Sequence, residues 1–397
     1  MEARLQLASA VSRLGTETAF EVVNRVGALE AQGQKVLKLH IGAPDFRTPE
    51  HIVEAGRKAL ADGFHGYTPA KGLLPVRESV AEYCTRFHGG KVHPDQVIIV
   101  PGGKPTLFYA VLLFGEPGAE IVYPNPGFPI YESAIRWTGA TPVPLELREA
   151  NGFAFSADEL LAKITPRTRL IILNSPANPT GGVASKVEMD KLVRGLVNQP
   201  HVAVLSDEIY SRLLYDGEKH VSILSYPEIA DRAILLDGWS KTYAMTGWRM
   251  GFGVWPKSLV DQAERLQINC NSCTNAAAQM AGMEALRGPQ DCVDRMHAAF
   301  DARRKVIVRE LNTIPGFRCG MPKGAFYAFA NTSATKIPSR ELERRLLQEA
   351  RVSCLSGTSF GAMGEGFLRF SYASSEETIQ LACQRVRELM SQAPAAR

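Results

Sequence analysis

AILLDGWSKTYAMTGWRMGFGVW (233–255) joins two short apolar runs, 233–238 and 249–255, through a turn that carries Ser240 and Lys241. Continuously apolar runs of this length suit strands buried on both faces, in a sheet covered by helices on either side. The same texture recurs upstream at 97–100, AEIVYP (119–124), RLIILN (169–174) and VAVLS (202–206). Helical stretches lie between them. LFYAVLLFG (107–115) follows the first run, and Ser156-Ala-Asp-Glu159 is a capping box ahead of LLAKI. Strand alternating with helix predicts an α/β fold built on a mostly parallel central sheet.

The flanks read differently. The first 35 or so residues are helix-prone but polar, an arm rather than a core element, and VLKLHIGAPDF (36–46) is a short strand running into a turn. Thr48 as cap and Pro49 at the first helical position open a helix. Ile52, Val53, Ala59 and Leu60 give it an apolar stripe, and Gly63 is its stop. After about 285, charged helical segments (290–312, 339–350) alternate with strand-like GAFYAFA (324–330) and GFLRFSYA (366–373). Ser374-Ser-Glu-Glu377 then caps a last helix with Ile379, Cys383, Val386 and Met390 on one side. The expected division is an arm and the start of a small domain (1–45), a large domain (46–285) and a smaller α+β domain (286–397).

Composition excludes several classes. The 397 residues are 45% hydrophobic and 22% charged, with a net charge of +4 and no Lys/Arg run to follow a nucleic-acid backbone. No stretch approaches the roughly 20 apolar residues of a membrane span, and the N-terminus lacks the apolar region of a secretory signal. Seven scattered cysteines suit a reducing cytoplasm. Cys270-Asn-Ser-Cys273 has metal-ligand spacing, but no second half-site accompanies it, so two free thiols and no metal are expected.

In open α/β sheets ligands bind outside the carboxyl ends of the strands. Those ends carry Gly102-Gly103-Lys104, then Asn174-Ser-Pro-Ala-Asn178-Pro-Thr-Gly181, then Asp207-Glu208-Ile-Tyr210, then Asp237-Gly-Trp-Ser240-Lys241 followed by Arg249. A Gly-Gly turn entering a helix offers N–H groups and a positive dipole end to a phosphate. A lysine forms a Schiff base with a carbonyl, and a carboxylate holds a pyridine nitrogen protonated. That lysine and acidic partner together mark a pyridoxal phosphate site.

These blocks, SPANPTGG (175–182), SDEIY (206–210), SKTYAMTGWRMG (240–251) and FLRFSYA (367–373), resemble the signatures of class I pyridoxal-phosphate aminotransferases of fold type I. Order and spacing match from Gly42 to the last helix, and within the class the chain is similar to the bacterial aspartate aminotransferase-like subgroup. The resemblance implies a fold-type-I enzyme with pyridoxal 5'-phosphate on Lys241, which then moves the proton. Asp207 would pair with the ring nitrogen. Asn178 and Tyr210 would hydrogen-bond the ring's phenolic oxygen.

By the same resemblance the phosphate is met by Gly103, Lys104, Ser240 and Arg249, and Phe128 stacks on the ring where relatives often carry Trp or Tyr. Tyr67, in HGYTPAKG, would reach the phosphate of a neighbouring subunit, implying a homodimer with composite sites. Arg369 would grip the substrate α-carboxylate, with Gly42 and Asn178 against it. Lys104 would approach the distal carboxylate of an acidic substrate; the alternative is that it faces solvent or the phosphate. Gly238 departs from the family, standing where many relatives have a phosphate-binding Ser. Pro105 has no N–H to donate.

The expected activity is ping-pong transfer of an amino group from an L-amino acid, aspartate or another acidic donor, to a 2-oxoacid such as 2-oxoglutarate. Aromatic or neutral donors, or C–S β-lyase chemistry on the same scaffold, are the alternatives. A ligand-sensing domain of a transcription factor would need a DNA-binding module, for which the arm is too short and insufficiently basic. A nicotinamide dehydrogenase would need a GxGxxG turn, and Gly251-Phe-Gly253 lacks the third glycine.

Overall fold

The computed structural model describes residues 5–15 and 19–392, so parts of the arm (1–4, 16–18) and the end of the chain (393–397) lie outside the described residues. Strands are β1 Leu37–Lys38, β2 Val97–Val100, β3 Glu120–Asn125, β4 Thr141–Glu146, β5 Thr168–Asn174, β6 Ala203–Asp207, β7 Ala233–Gly238, β8 Gly251–Val254, β9 Tyr327–Asn331, β10 Val352–Ser353, β11 Leu355–Ser356 and β12 Phe367–Ser371. The helices needed below are α1 Ala19–Ala31, α2 Glu50–Ala61, α3 Leu74–Phe87, α4 Lys104–Phe114 and α5 Ile130–Thr138.

Seven strands form the central sheet in the order β2-β8-β7-β6-β5-β3-β4. All are parallel except β8, which runs against both of its neighbours. The apolar runs have a direct explanation. Along β2, Ile98 and Val100 enter one core cluster while Val97 and Ile99 enter the other. Along β5, Leu170 and Ile172 face one way and Ile171 and Leu173 the other. Each strand is buried on both faces because helices cover both, so alternation disappears from its sequence.

Because β8 is reversed, its beginning lies at the same edge of the sheet as the ends of the parallel strands. Arg249, two residues before β8, therefore shares an edge with Asn174, Asp207 and the turn after β7. A second, antiparallel sheet β11-β12-β9 carries Arg369 on its middle strand, and β1 pairs with β10, which ties residues 37–38 to the C-terminal region.

Some expectations fail for identifiable reasons. Strand β4, TPVPLE, is absent from the sequence-based reading because its two prolines argue against a strand; it lies at the sheet edge, where the missing N–H groups are tolerated. Thr48 does not cap α2. Its hydroxyl donates to the Ala244 carbonyl (2.8 Å) and accepts from Trp248 Nε1 (3.0 Å), and Pro49 is itself the cap residue. Leu60 is exposed, while Ile52 and Ala59 are buried. The arm is not wholly peripheral, since Val22 and Val26 of α1 are buried against Leu347, Leu355 and Phe360. In the last helix Ser375, rather than Ser374, supplies the cap oxygen, to the Thr378 N–H.

Candidate active site

The carboxyl edge of the large sheet, the Gly42 loop and the β9-β12 sheet enclose a cavity of about 300 Å³. Eleven of the twelve residues singled out in the sequence line it: Gly42, Gly103, Lys104, Phe128, Asn178, Asp207, Tyr210, Ser240, Lys241, Arg249 and Arg369. Tyr67 does not, and within a single chain it is 93% exposed.

Lys241 sits in a single helical turn, Trp239–Thr242, directly after β7, and its Nζ donates to the Gly42 carbonyl (2.6 Å). That contact bridges the large sheet and the N-terminal segment. Gly42 is tightly confined: a Cβ there would lie 2.4 Å from the Tyr327 hydroxyl. Asp207, the last residue of β6, accepts a hydrogen bond from the Tyr131 hydroxyl (2.7 Å) and a longer one from the Ile209 N–H (3.3 Å). Burial pushes its carboxyl up to about 6, against those two hydrogen bonds and with the nearby charges of Asp237 and Glu208 adding to the rise.

Arg249 has a left-handed backbone (φ 53°) that turns its guanidinium back onto the Gly102-Gly103 turn, where Nη1 donates to the Thr246 carbonyl (2.8 Å). Gly102 (φ +83°) has no alternative, because a Cβ would sit 2.2 Å from Arg249 Nη2. The N-terminus of α4, the arginine and Ser240 thus converge on one end of the cavity. A positive helix end with a guanidinium is a setting for a dianionic phosphate. Gly238 is also explained: its Cβ would lie 2.8 Å from the Gly251 Cα on the neighbouring strand, so a serine has no room there without displacing β8.

Arg369 is buried between the rings of Tyr327 (4.4 Å) and Phe360 (4.8 Å). Its Nη1 donates to Asn178 Oδ1 (2.9 Å) and its Nη2 to the His40 carbonyl (2.6 Å). Lys104 lies on the wall with Nζ 5.5 Å from the Phe128 ring centroid.

Residues given no role in the sequence reading complete the site. Tyr131 holds Asp207, Tyr327 exchanges a hydrogen bond with Tyr210 (2.7 Å), and Asn174 accepts from the Asn178 N–H while donating to the Asp207 carbonyl. Phe128 lies two residues ahead of α5, its ring edge-on to that of Tyr131 at 5.7 Å. Tyr131, Tyr327 and His40 carry no local signal in the sequence. Burial and then the Arg369 charge lower the His40 imidazole to about 4, which keeps it neutral. The seven cysteines are free thiols, with Cys270 exposed at the end of its helix.

A helix-covered, mostly parallel sheet whose carboxyl edge presents a lysine, a buried acid and an arginine, faced by a second arginine from a smaller antiparallel sheet, defines a fold-type-I transferase. The chain belongs to the class I and II aminotransferase family, whose model matches residues 34–386. It is 38% identical over 359 residues, 90% of this chain and 91% of the relative, to an aspartate aminotransferase of Pyrococcus horikoshii. It is 36% identical to an aromatic-amino-acid aminotransferase of Thermococcus litoralis, over 91% of this chain and 93% of that one. The solved aspartate aminotransferase of Thermus thermophilus with maleate superposes with a TM-score of 0.93 at 33% identity, covering 97% and 100% of the two chains. The enzyme is an aminotransferase.

Among the described residues no helix is long and apolar enough to cross a membrane.

Proposed function

We propose that the cofactor is pyridoxal 5'-phosphate and that the physiological donor is aspartate or another acidic L-amino acid, with a 2-oxoacid such as 2-oxoglutarate as acceptor. One observation carries this reading: Lys241, Asp207, Arg249 and Arg369 line a single cavity, Arg249 against the Gly102-Gly103 turn and Arg369 beside Asn178 and the His40 carbonyl. The donor set fits the cofactor, because an anion site, a buried acid and an amine stand in one cavity pressed so close that Gly102 and Gly42 admit no side chain.

When bound, the cofactor supplies an electron sink for the carbanion left when the α-proton departs. The residues do the rest. Arg249, Ser240 and the α4 N-terminus hold the phosphate. Asp207, kept in place by Tyr131, is the anion that stabilises a protonated ring nitrogen. Asn178 and Tyr210 would hydrogen-bond the ring's phenolic oxygen, and Phe128 would pack against the ring. Arg369 takes the α-carboxylate in a bidentate grip, with Asn178 and the Gly42 backbone alongside. Lys241 removes the α-proton and returns it, and its contact with the Gly42 carbonyl holds Nζ beside the carboxylate site.

Lys104 supports the acidic donor as a fourth cation on a wall whose carboxylate is Asp207. Val23, Ile41, Leu107 and Phe128 on the same wall favour a second reading, neutral or aromatic donors. Exposed Tyr67 supports a homodimer in which it completes the neighbour's phosphate site, and the free thiols support a cytoplasmic location.

The test is a half-reaction screen following the absorbance of bound cofactor against acidic, aromatic and aliphatic amino acids. Fastest conversion by aspartate or glutamate is expected. Confinement to aromatic or neutral donors would remove the role of Lys104, and pyruvate and ammonia released without an acceptor would identify a lyase. A Lys241→Ala protein that still transaminates overturns the reading altogether.

A further inference from the structure

Beneath the catalytic edge lies a buried polar cluster with no part in the chemistry above. His88, which follows α3, is 2% exposed. Its Nδ1 is 3.0 Å from Glu208 Oε2 and its Nε2 is 3.1 Å from Asp237 Oδ2. Glu208 is otherwise saturated: Oε2 also accepts from His220 Nε2 (2.6 Å), and Oε1 from the Ser206 hydroxyl (2.7 Å) and the Ile223 N–H (2.9 Å). Asp237 accepts from the Ser211 hydroxyl (3.2 Å) and, through Oδ1, from the Gly238 N–H (2.7 Å). Each ring nitrogen faces a carboxylate oxygen that accepts a hydrogen bond, so both carry protons and His88 is a cation. Burial favours the neutral ring, but the hydrogen bonds and charges of Asp237 and Glu208 outweigh it and push His88 up to about 9.

Against the ring stand Tyr83 of α3, with ring centroids 5.4 Å apart, and His220, at 5.5 Å. The charge of Asp237 also reaches Tyr83, Cys84, Asp207 and Tyr243. The cations Arg86 and Arg212 lie over the adjacent Phe87 ring, 4.5 and 4.1 Å from its centroid. Burial raises Tyr83, Cys84 and Tyr243 above their usual ranges, so they remain neutral. His88, Glu208 and His220 are close enough to suggest a metal. Their contacts of 2.6 and 3.0 Å are hydrogen-bond lengths, short of the roughly 3.3 Å between neighbouring ligands of a tetrahedral zinc site.

The position of the cluster gives it consequence. Glu208 directly follows Asp207, and Asp237 anchors the N–H of Gly238, where the turn to Lys241 begins. We propose that His88 is a positioning residue of the catalytic centre, a buried cation that binds Glu208 and Asp237 together and so fixes the two strand ends carrying Asp207 and Lys241. This rests on the reading of those two residues as the cofactor's acid and amine. It also places one positive charge behind the site, between two carboxylates.

The test compares the holoenzyme with its His88→Gln variant. Removing the cation leaves the carboxylates less compensated and stabilises positive charge in the site above. The pH midpoint of the bound cofactor's absorbance change is therefore expected to move alkaline, by about 0.3–1 unit. kcat is expected to fall about tenfold or more, with KM for the amino acid nearly unchanged, since Arg369 is untouched. A variant identical to the wild type in midpoint and kcat overturns the proposal. So does a midpoint that stays fixed while only stability falls.

Should the variant not fold, the wild type decides. Nitrogen NMR of histidine-labelled protein must show, at pH 7.5, one histidine protonated at both ring nitrogens that titrates near pH 9; its absence overturns the proposal. A wild type that takes up no cofactor is seen before any variant is made, and it removes the cofactor reading rather than the clamp, which the NMR experiment still judges.

Discussion

Asp207 sits where folding and function oppose each other. Its folded pKa of about 6 lies above the ordinary carboxylate value, so the unfolded chain gives up this proton first. Stability without cofactor therefore falls as pH rises through roughly 4 to 6 and stays reduced above, by on the order of 2–3 kcal/mol. Asp207→Asn is expected to raise the melting temperature of cofactor-free protein at pH 7.5 by roughly 2–5 °C. The same change should sharply weaken cofactor retention and turnover. Calorimetry on the cofactor-free proteins checks the first effect, and an unchanged or lower melting temperature would contradict it. Arg369→Lys tests geometry rather than charge. A lysine cannot bond Asn178 and the His40 carbonyl while presenting a planar fork, so KM for amino acid and oxoacid should rise about 10–100-fold with stability little altered. Steady-state kinetics with both substrates decides it. At this scale the sequence was unusually readable, because Lys241, Asp207, Asn178, Arg249 and Arg369 each sit in a short block of distinctive residues. Tyr131, Tyr327 and His88 were not readable, since each acts through a partner 76 to 149 positions away.

Among elements, the reversed strand β8 is packed backbone to backbone against the Gly102-Gly103 turn. A Cβ at Gly251 would lie 2.5 Å from the Gly102 carbonyl carbon and 2.6 Å from the Gly103 N, both backbone atoms that cannot step aside. Gly251→Ala is expected to cost about 2–4 kcal/mol and to loosen the phosphate end of the site as the Gly102-Gly103 turn shifts. Denaturant unfolding, read beside cofactor affinity, checks both; a variant as stable as the wild type would show that the turn is free to move. The buried strands were legible as apolar runs because helices cover both their faces. Strand β4 was not, because edge position, which is a property of the whole sheet, excuses its prolines.

For the whole molecule, the open question is what covers Tyr67. In one chain it is exposed, as are Leu5 and Leu7 of the arm. The protein is expected to elute at about twice its 43.4 kDa. Tyr67→Ala and Lys241→Ala chains, each nearly inactive alone, should regain about a quarter of wild-type activity when their subunits are exchanged. Half of the dimers would then be mixed, each with one intact site. No recovery on mixing would place Tyr67 outside the site.

Local sequence by itself determined the class of fold, the aminotransferase family and eleven of the residues that line the cavity. Runs of apolar residues report burial on two faces, and a polar residue at the end of such a run stands at the ligand edge. Only tertiary structure decided how those residues are held: that β8 runs backwards and so delivers Arg249 to the common edge, that Arg369 is wedged between two rings, and that His88 joins two strand ends. The reason is physical. Burial and edge position leave a periodic trace in neighbouring residues, whereas a hydrogen bond between distant segments is made by closure of the chain and leaves none.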